Sequence, residues 1–193
     1  HTLEGGGALR FDQEWLPRAE ADALLAALLE DLPLAQESIL LFGREVLQPR
    51  LSCWIGDPQA SYTYSGKTLS PGPWVPDLVG LRERLGEALS QDFNSVLCNL
   101  YRSGQDSMGW HADKEPELGP NPLIASLSLG GTRRFLLRHR RKSVPGVDLD
   151  LDDGSLLWMS GTTQHFWRHA VPKTRRPVAP RINLTFRRIL GGT

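Results

Sequence analysis

The sequence predicts a mainly β protein with N-terminal helices: a double-stranded β-helix (jelly roll) behind a helical buttress. Three observations carry that expectation. Leucines recur at helical spacing in two stretches, residues 17–32 and 76–90. From residue 93 onward the chain reads as short strand-like runs set apart by turn residues. No internal repeat, low-complexity tract or linker interrupts the pattern. With 193 residues, the expected organisation is one domain over 1–193. About 38–92 would form an N-terminal lid and buttress region, and about 93–189 the jelly-roll core.

Residues 1–16 read as extended, with Ala8-Leu9-Arg10-Phe11 a short strand. Pro17 suits the opening of a helix, where a missing N–H costs nothing. Leu24, Leu25, Leu28, Leu29 and Leu32 then share one side until Pro33 stops the helix. Short β runs follow at 39–42, 51–55 and 62–64, punctuated by Gly43, Gly56 and Gly66. The proline-rich segment 67–76 reads as a loop. The second helix uses Leu78, Val79, Leu81, Leu85 and Leu89. Strands are expected over 93–102, 123–129, 133–139, 147–151, 155–159, 166–171 and 181–189, with turns at Gly130-Gly131 and Asp153-Gly154.

Composition narrows the function classes. Hydrophobic residues make up 40% and charged residues 23%, as in an ordinary globular chain. No apolar run approaches the roughly 20 residues of a membrane-spanning helix, so no membrane partner is expected. The formal net charge is zero, which removes any global attraction to a polyanion. The balance is local, however. Arg133, Arg134, Arg138, Arg140, Arg141 and Lys142 crowd one segment, and Asp148, Asp150, Asp152 and Asp153 follow it. A basic face is expected there. Cys53 and Cys98 lie far apart in sequence, among apolar residues and without metal-ligand spacing. They read as buried free thiols of a cytoplasmic protein, expected to be a monomer.

His111 and Asp113 carry the first chemical signal. Side chains at i and i+2 of an extended backbone point the same way, so one imidazole and one carboxylate can share a target. A third ligand must come from another strand. His139 stands within a run of arginines, where a cation is disfavoured. His165 and His169 both remain eligible by composition. His169 is preferred because Ala170-Val171-Pro172 continues it as a strand. Two histidines and one carboxylate on one face of a metal suit a non-haem Fe(II) oxygenase, which leaves sites for cosubstrate and oxygen.

A second signal lies in Arg181-Ile182-Asn183-Leu184-Thr185-Phe186-Arg187, which alternates polar and apolar. Its arginines lie roughly 20 Å apart along a strand. Leaning inward, they reach opposite ends of a small dicarboxylate, which a planar guanidinium pairs bidentately. Asn99 and Tyr101 form another i, i+2 pair that adds an amide and a hydroxyl to such a pocket.

In chain order, Asn99-x-Tyr101, His111-x-Asp113, His169 and Arg181–Arg187 resemble the AlkB family of Fe(II)- and 2-oxoglutarate-dependent nucleic-acid dealkylases. The runs 180–187 and 122–130 are close to that family's signatures, and the likeness covers about 38–189. The resemblance implies Fe(II) on His111, Asp113 and His169. It implies 2-oxoglutarate on Asn99, Tyr101, Asn183, Arg181 (far carboxylate) and Arg187 (near carboxylate), with O2 as co-oxidant. It implies alkylated DNA as partner, RNA being the alternative. N-alkylated bases such as 1-methyladenine and 3-methylcytosine would be repaired with release of formaldehyde, succinate and CO2. A target base must leave the stack to be reached. Tyr62-Thr63-Tyr64-Ser65-Gly66 resembles the family's nucleotide-recognition lid, so Tyr62, Tyr64, Ser65 and Glu115 carry over as substrate contacts. Leu41-Phe42-Gly43 resembles an apolar wedge with Phe42 at its tip. The basic run 133–142 and Lys173-Thr174-Arg175-Arg176 would meet phosphates. Lys114 departs from the duplex-acting members, which carry an acidic residue there, and so bears on substrate preference.

Overall fold

The computed structural model describes residues 1–41, 43–64 and 67–190. In chain order the elements are β1 (Thr2–Leu3), β2 (Gly7–Asp12), α1 (Arg18–Asp31), β3 (Ser38–Leu41), β4 (Arg44–Leu47), β5 (Leu51–Gly56), β6 (Tyr62–Tyr64), β7 (Lys67–Leu69), α2 (Pro76–Leu89), β8 (Ser95–Tyr101) and β9 (Met108–His111). Then come β10 (Ile124–Gly130), β11 (Arg133–His139), β12 (Val147–Leu151), β13 (Leu156–Gly161), the single turn α3 (Thr163–Phe166), β14 (Trp167–Val171) and β15 (Arg181–Arg187).

The strands build the expected jelly roll from a seven-stranded sheet, β1-β2-β13-β10-β15-β8-β5, and a four-stranded sheet, β12-β11-β14-β9. Two small hairpins, β3-β4 and β6-β7, stand outside both sheets. Side-chain alternation sorts the core into two layers. Val96, Cys98, Leu100, Ala125, Leu127, Leu129, Ile182, Leu184 and Phe186 leave the larger sheet on one face, where Leu28 of α1 and Leu78, Leu81 and Leu85 of α2 cover them. The opposite face joins Leu9, Ile124, Leu157 and Met159 to Phe135, Leu137, Trp167 and Val171 of the smaller sheet. Burying these apolar faces, at about 25 cal/mol per Å², is what closes the sandwich.

Both helices start and stop as their residues require. Pro17 precedes α1, and Pro76 opens α2 with Asp77 in its positively polarised first turn. Ser90 ends α2 in the left-handed region, at φ 51° and ψ 45°. The β10–β11 turn needs glycine: Gly130 has φ +86°, and a Cβ there would run into the Pro180 carbonyl. That close approach seats the start of β15 beside the end of β10.

Three expectations need correction. Residues 67–69 form β7 and pair with β6, so the presumed loop supplies the second half of a hairpin. Residues 108–111 form a strand that the glycine beside Trp110 obscured in the sequence. The presumed strand 166–171 begins at Trp167, after the helical turn α3.

Candidate metal centre and its anion pocket

The polar residues of β8, β10 and β15 point into the jelly roll. Antiparallel register sets Asn99 opposite Asn183 and Tyr101 opposite Arg181. Ser128 faces Asn183 from the other side. β15 therefore lies in the middle of the larger sheet, with its polar side chains inside the barrel.

β9 and β14 bring the histidines together, because His169 is paired directly with His111. Their rings are 4.2 Å apart between centroids. Asp113 lies two residues beyond the end of β9, and its backbone N–H donates to Gln164 Oε1 at 3.0 Å. Ligand atoms of His111, Asp113 and His169 all lie within 4.8 Å of one another. Neighbouring ligands of a metal with bonds of about 2.1 Å stand roughly 3 Å apart, so a small contraction closes the triad.

The chemistry of these donors fits a divalent cation. His111 Nδ1 lies 2.8 Å from the Gly109 carbonyl; that tautomer leaves Nε2 its lone pair. Burial, reinforced by His111, pushes the His169 imidazole down to about 3 despite the pull of Asp113, so it is neutral. Its Nδ1 is buried without a hydrogen-bond partner. Phe135 stacks on the ring at 5.4 Å and fixes its plane. Burial opposes ionisation of Asp113, yet the Arg187 guanidinium holds its carboxyl below the ordinary range. Arg187 donates to Asp113 Oδ1 at 2.7 Å, while Oδ2 faces His169 Nε2 at 3.8 Å. One carboxylate oxygen is thus tethered and the other faces the histidines.

Arg181 is the unusual group. It is fully buried and has no carboxylate partner among the described residues. It donates to Ser128 Oγ and Asn183 Oδ1, both at 2.8 Å, and its guanidinium lies 5.3 Å from the Tyr101 ring. Its Nε and Nη1 have no partner, nor does Arg187 Nε. Burial lowers the Arg181 pKa to about 10, which leaves it charged at neutral pH. A buried cation without an anion is costly, and free donors on such a group mark where an anion belongs. Asn99, Tyr101, Asn183, Thr185 and Arg187 share one cavity with the three metal-ligand candidates.

Several supporting residues gave no local sign in the sequence. Arg50 Nε donates to Asn99 Oδ1 at 2.8 Å. Arg133 is buried and stays within the protein: it donates to the carbonyls of Ser103, Asp106 and Pro172 at 3.2, 2.8 and 2.7 Å. It also lies 5.3 Å from the Tyr101 ring, as Arg181 does.

A larger cavity of about 460 Å³ adjoins the first, and Leu97 and Arg187 belong to both walls. Glu37, Arg50, Trp54 and Glu115 line it. Glu115 is thus brought beside the site. Tyr62 and Tyr64 are placed by their backbone in the β6-β7 hairpin. Phe42 and Ser65 lie outside the described residues.

The expected basic face is corrected. Arg134 pairs with Asp150 at 2.7 Å, Arg138 pairs with Asp148, and Arg141 pairs with Glu4. Arg140 donates to the His165 carbonyl. His165, on α3, contacts the Pro120 carbonyl and does not belong to the triad. His139 Nδ1 accepts from the Arg141 N–H, and the ring packs against Trp167.

A family model described as the 2OG-Fe(II) oxygenase superfamily matches residues 8–187. The alpha-ketoglutarate-dependent dioxygenase alkB homolog 3 of Homo sapiens is 44% identical over 179 residues, covering 88% of this chain and 62% of that protein. The DNA oxidative demethylase ALKBH2 of Mus musculus is 42% identical over 183 residues, covering 90% of this chain and 77% of that protein. The chain therefore spans about three fifths of the length of the first of these relatives. A solved structure titled "The structure of OsALKBH1" shares the fold, with a TM-score of 0.64 at 18% identity over 97% of this chain and 100% of that one.

Proposed function

This chain belongs to the AlkB family of the 2OG-Fe(II) oxygenase superfamily, and from that premise we propose that it oxidatively removes alkyl groups from N-alkylated bases of DNA. The substrate class follows that of its relative ALKBH2, a DNA oxidative demethylase. The cofactors follow the family: Fe(II), 2-oxoglutarate and O2. The observation that carries the reading is Arg181, a buried cation with two free donor atoms, hydrogen-bonded to Asn183, which lines the same cavity as His111, Asp113 and His169.

In this reading His111, Asp113 and His169 hold the iron. Arg181 binds the distal carboxylate of 2-oxoglutarate, steadied by Ser128 and Asn183. Tyr101 and Asn99 close that end, and Arg187 tethers Asp113 while its free Nε faces the cosubstrate. Bound iron, 2-oxoglutarate and O2 would supply the oxidising power, with the cosubstrate converted to succinate and CO2 to provide the oxygen that hydroxylates the alkyl carbon, and a hydroxylated methyl group would then leave the base as formaldehyde. The protein's own task is orientation and exclusion of water. The 460 Å³ cavity lies in the range of pockets for small organic groups. It admits a base that has left the stack, with Trp54 and Glu115 in its wall and the β6-β7 hairpin, including Tyr62 and Tyr64, as the lid over it. Residues 38–92 then form the lid and buttress of a single catalytic domain, acting as a monomer.

The test is conversion of oligonucleotides carrying 1-methyladenine or 3-methylcytosine, as single-stranded DNA, duplex DNA and RNA, with Fe(II), 2-oxoglutarate and ascorbate. One formaldehyde and one succinate should appear per repaired base, and His169→Ala should abolish both. An iron-loaded wild-type chain that repairs none of these, or that repairs RNA alone, would overturn the proposal.

A further inference from the structure

Cys53 and Cys98 are 45 positions apart in sequence but directly opposite one another on β5 and β8. We propose that they are a modification site, joined by a peroxide into a cross-strand disulfide. The ladder around them is regular, running from Leu51 opposite Leu100 to Gly56 opposite Ser95, so neither residue is free to slide away. Directly opposed residues of an antiparallel pair have Cα atoms about 4.5–5.5 Å apart. That interval lies inside the window of about 4.4–6.8 Å that a disulfide accepts. Residues opposed in register also project to the same face, and both cysteines belong to the layer between the larger sheet and the helices.

The two sulfurs are unequal, which sets the order of events. Cys98 is buried, whereas Cys53 is only partly buried, on the outer strand of the sheet. Hydrogen bonding from the Cys98 thiol draws the Cys53 pKa down although burial opposes it, and the same contact with burial pushes Cys98 up. Cys53 is therefore the attacking thiolate and Cys98 the resolving thiol. The Cys53 sulfur attacks one peroxide oxygen; the S–O bond forms, the O–O bond breaks, and the departing hydroxide takes up the proton released by Cys53. The Cys98 sulfur then attacks the Cys53 sulfur. The S–S bond forms, the S–O bond breaks, and the hydroxyl leaves as water with the Cys98 proton. Two thiols are oxidised by one hydrogen peroxide, which is reduced to two waters. The product clamps β5, which carries Trp54 and directly follows Arg50, to β8, which carries Asn99 and Tyr101. The pairing stands independently of the proposed dealkylation.

The full chain, held with a chelator to suppress iron-peroxide radicals, is treated with hydrogen peroxide and then denatured for thiol titration and intact-mass measurement. Both thiols should disappear, the monomer mass should fall by two hydrogen atoms, and dithiothreitol should restore both. Cys98→Ala should instead gain oxygen at Cys53, and Cys53→Ala should keep its remaining thiol, in proteins whose melting curves show them folded. Wild-type chain that retains both thiols, gains oxygen without forming the bond, or cross-links into a disulfide dimer overturns the proposal.

Discussion

β11 and β15 each carry a pair of arginines an even number of positions apart, Arg134 and Arg138 on one and Arg181 and Arg187 on the other, and the protein treats them in opposite ways. On β11, Arg134 and Arg138 face solvent and meet Asp150 and Asp148 across the β11-β12 ladder. On β15, Arg181 is enclosed with only neutral partners, and Arg187 is partly spoken for by Asp113. Surface pairs of the first kind contribute little and are screened by salt. An enclosed cation of the second kind is tolerable only if something else repays its lost hydration. Density of positive charge along the sequence therefore misleads, and the arginine without an acid is the informative one.

Four measurements test that contrast. The largest effect is expected for Arg181→Met, with binding of 2-oxoglutarate to the Mn(II)-loaded chain weakened about 5,000-fold, or about 5 kcal/mol, read by calorimetry. The same variant should not lose stability without cosubstrate, because it removes a buried charge that has no anion. A ligand-free Arg181→Met protein that unfolds much more easily than wild type would mean that the guanidinium is structural. Next, Arg187→Met should destabilise the metal-free protein by about 3–5 kcal/mol in denaturant titration, since it leaves the buried Asp113 carboxylate alone. Third, metal-loaded wild-type chain given 2-oxoglutarate at one hundred times its dissociation constant should gain about 2.7 kcal/mol. A melting curve should show the gain in wild type and not in Arg181→Met. The smallest effect belongs to β11, where Arg134→Gln and Arg138→Gln should each cost no more than about 1 kcal/mol. Their effect on the salt dependence of oligonucleotide binding should be smaller than that of Lys173→Gln or Arg175→Gln, which lack an ion-pair partner among the described residues.

Much of the site was legible because it is written in short, local patterns. The alternation of β15, the Asn99-x-Tyr101 pair and His111-x-Asp113 each need only a strand's two-residue period to be read. The choice of His169 over His165 also rested on local context, and the ladder agrees: His169 is opposite His111, while His165 falls on a helical turn. What was illegible depends on which distant strands become neighbours. Nothing around Arg50 says that its guanidinium ends on Asn99, and nothing around Gln164 says that it braces Asp113. Arg133 looked like one more surface cation, yet it is buried against three carbonyls. The neutralised basic face is an intermediate case. Aspartates at every second position after a run of arginines carried the signal of a paired hairpin, but register was needed to match Arg134 to Asp150 and Arg138 to Asp148.

The site also joins two strands of unlike surroundings. β15 is flanked on both sides by β10 and β8. β9, which supplies His111, is the outer strand of the smaller sheet and meets β14 with a shift in register between His169 and Val171. Backbone amides of β9 can therefore trade their hydrogens for deuterium through small local openings, whereas those of β15 require much larger ones. A cation captured by the triad would tie the freer strand to its neighbour. Deuterium uptake at residues 108–111 should slow on metal addition while uptake at 181–187 barely moves, so metal loading would be reported by the amides of a single edge strand.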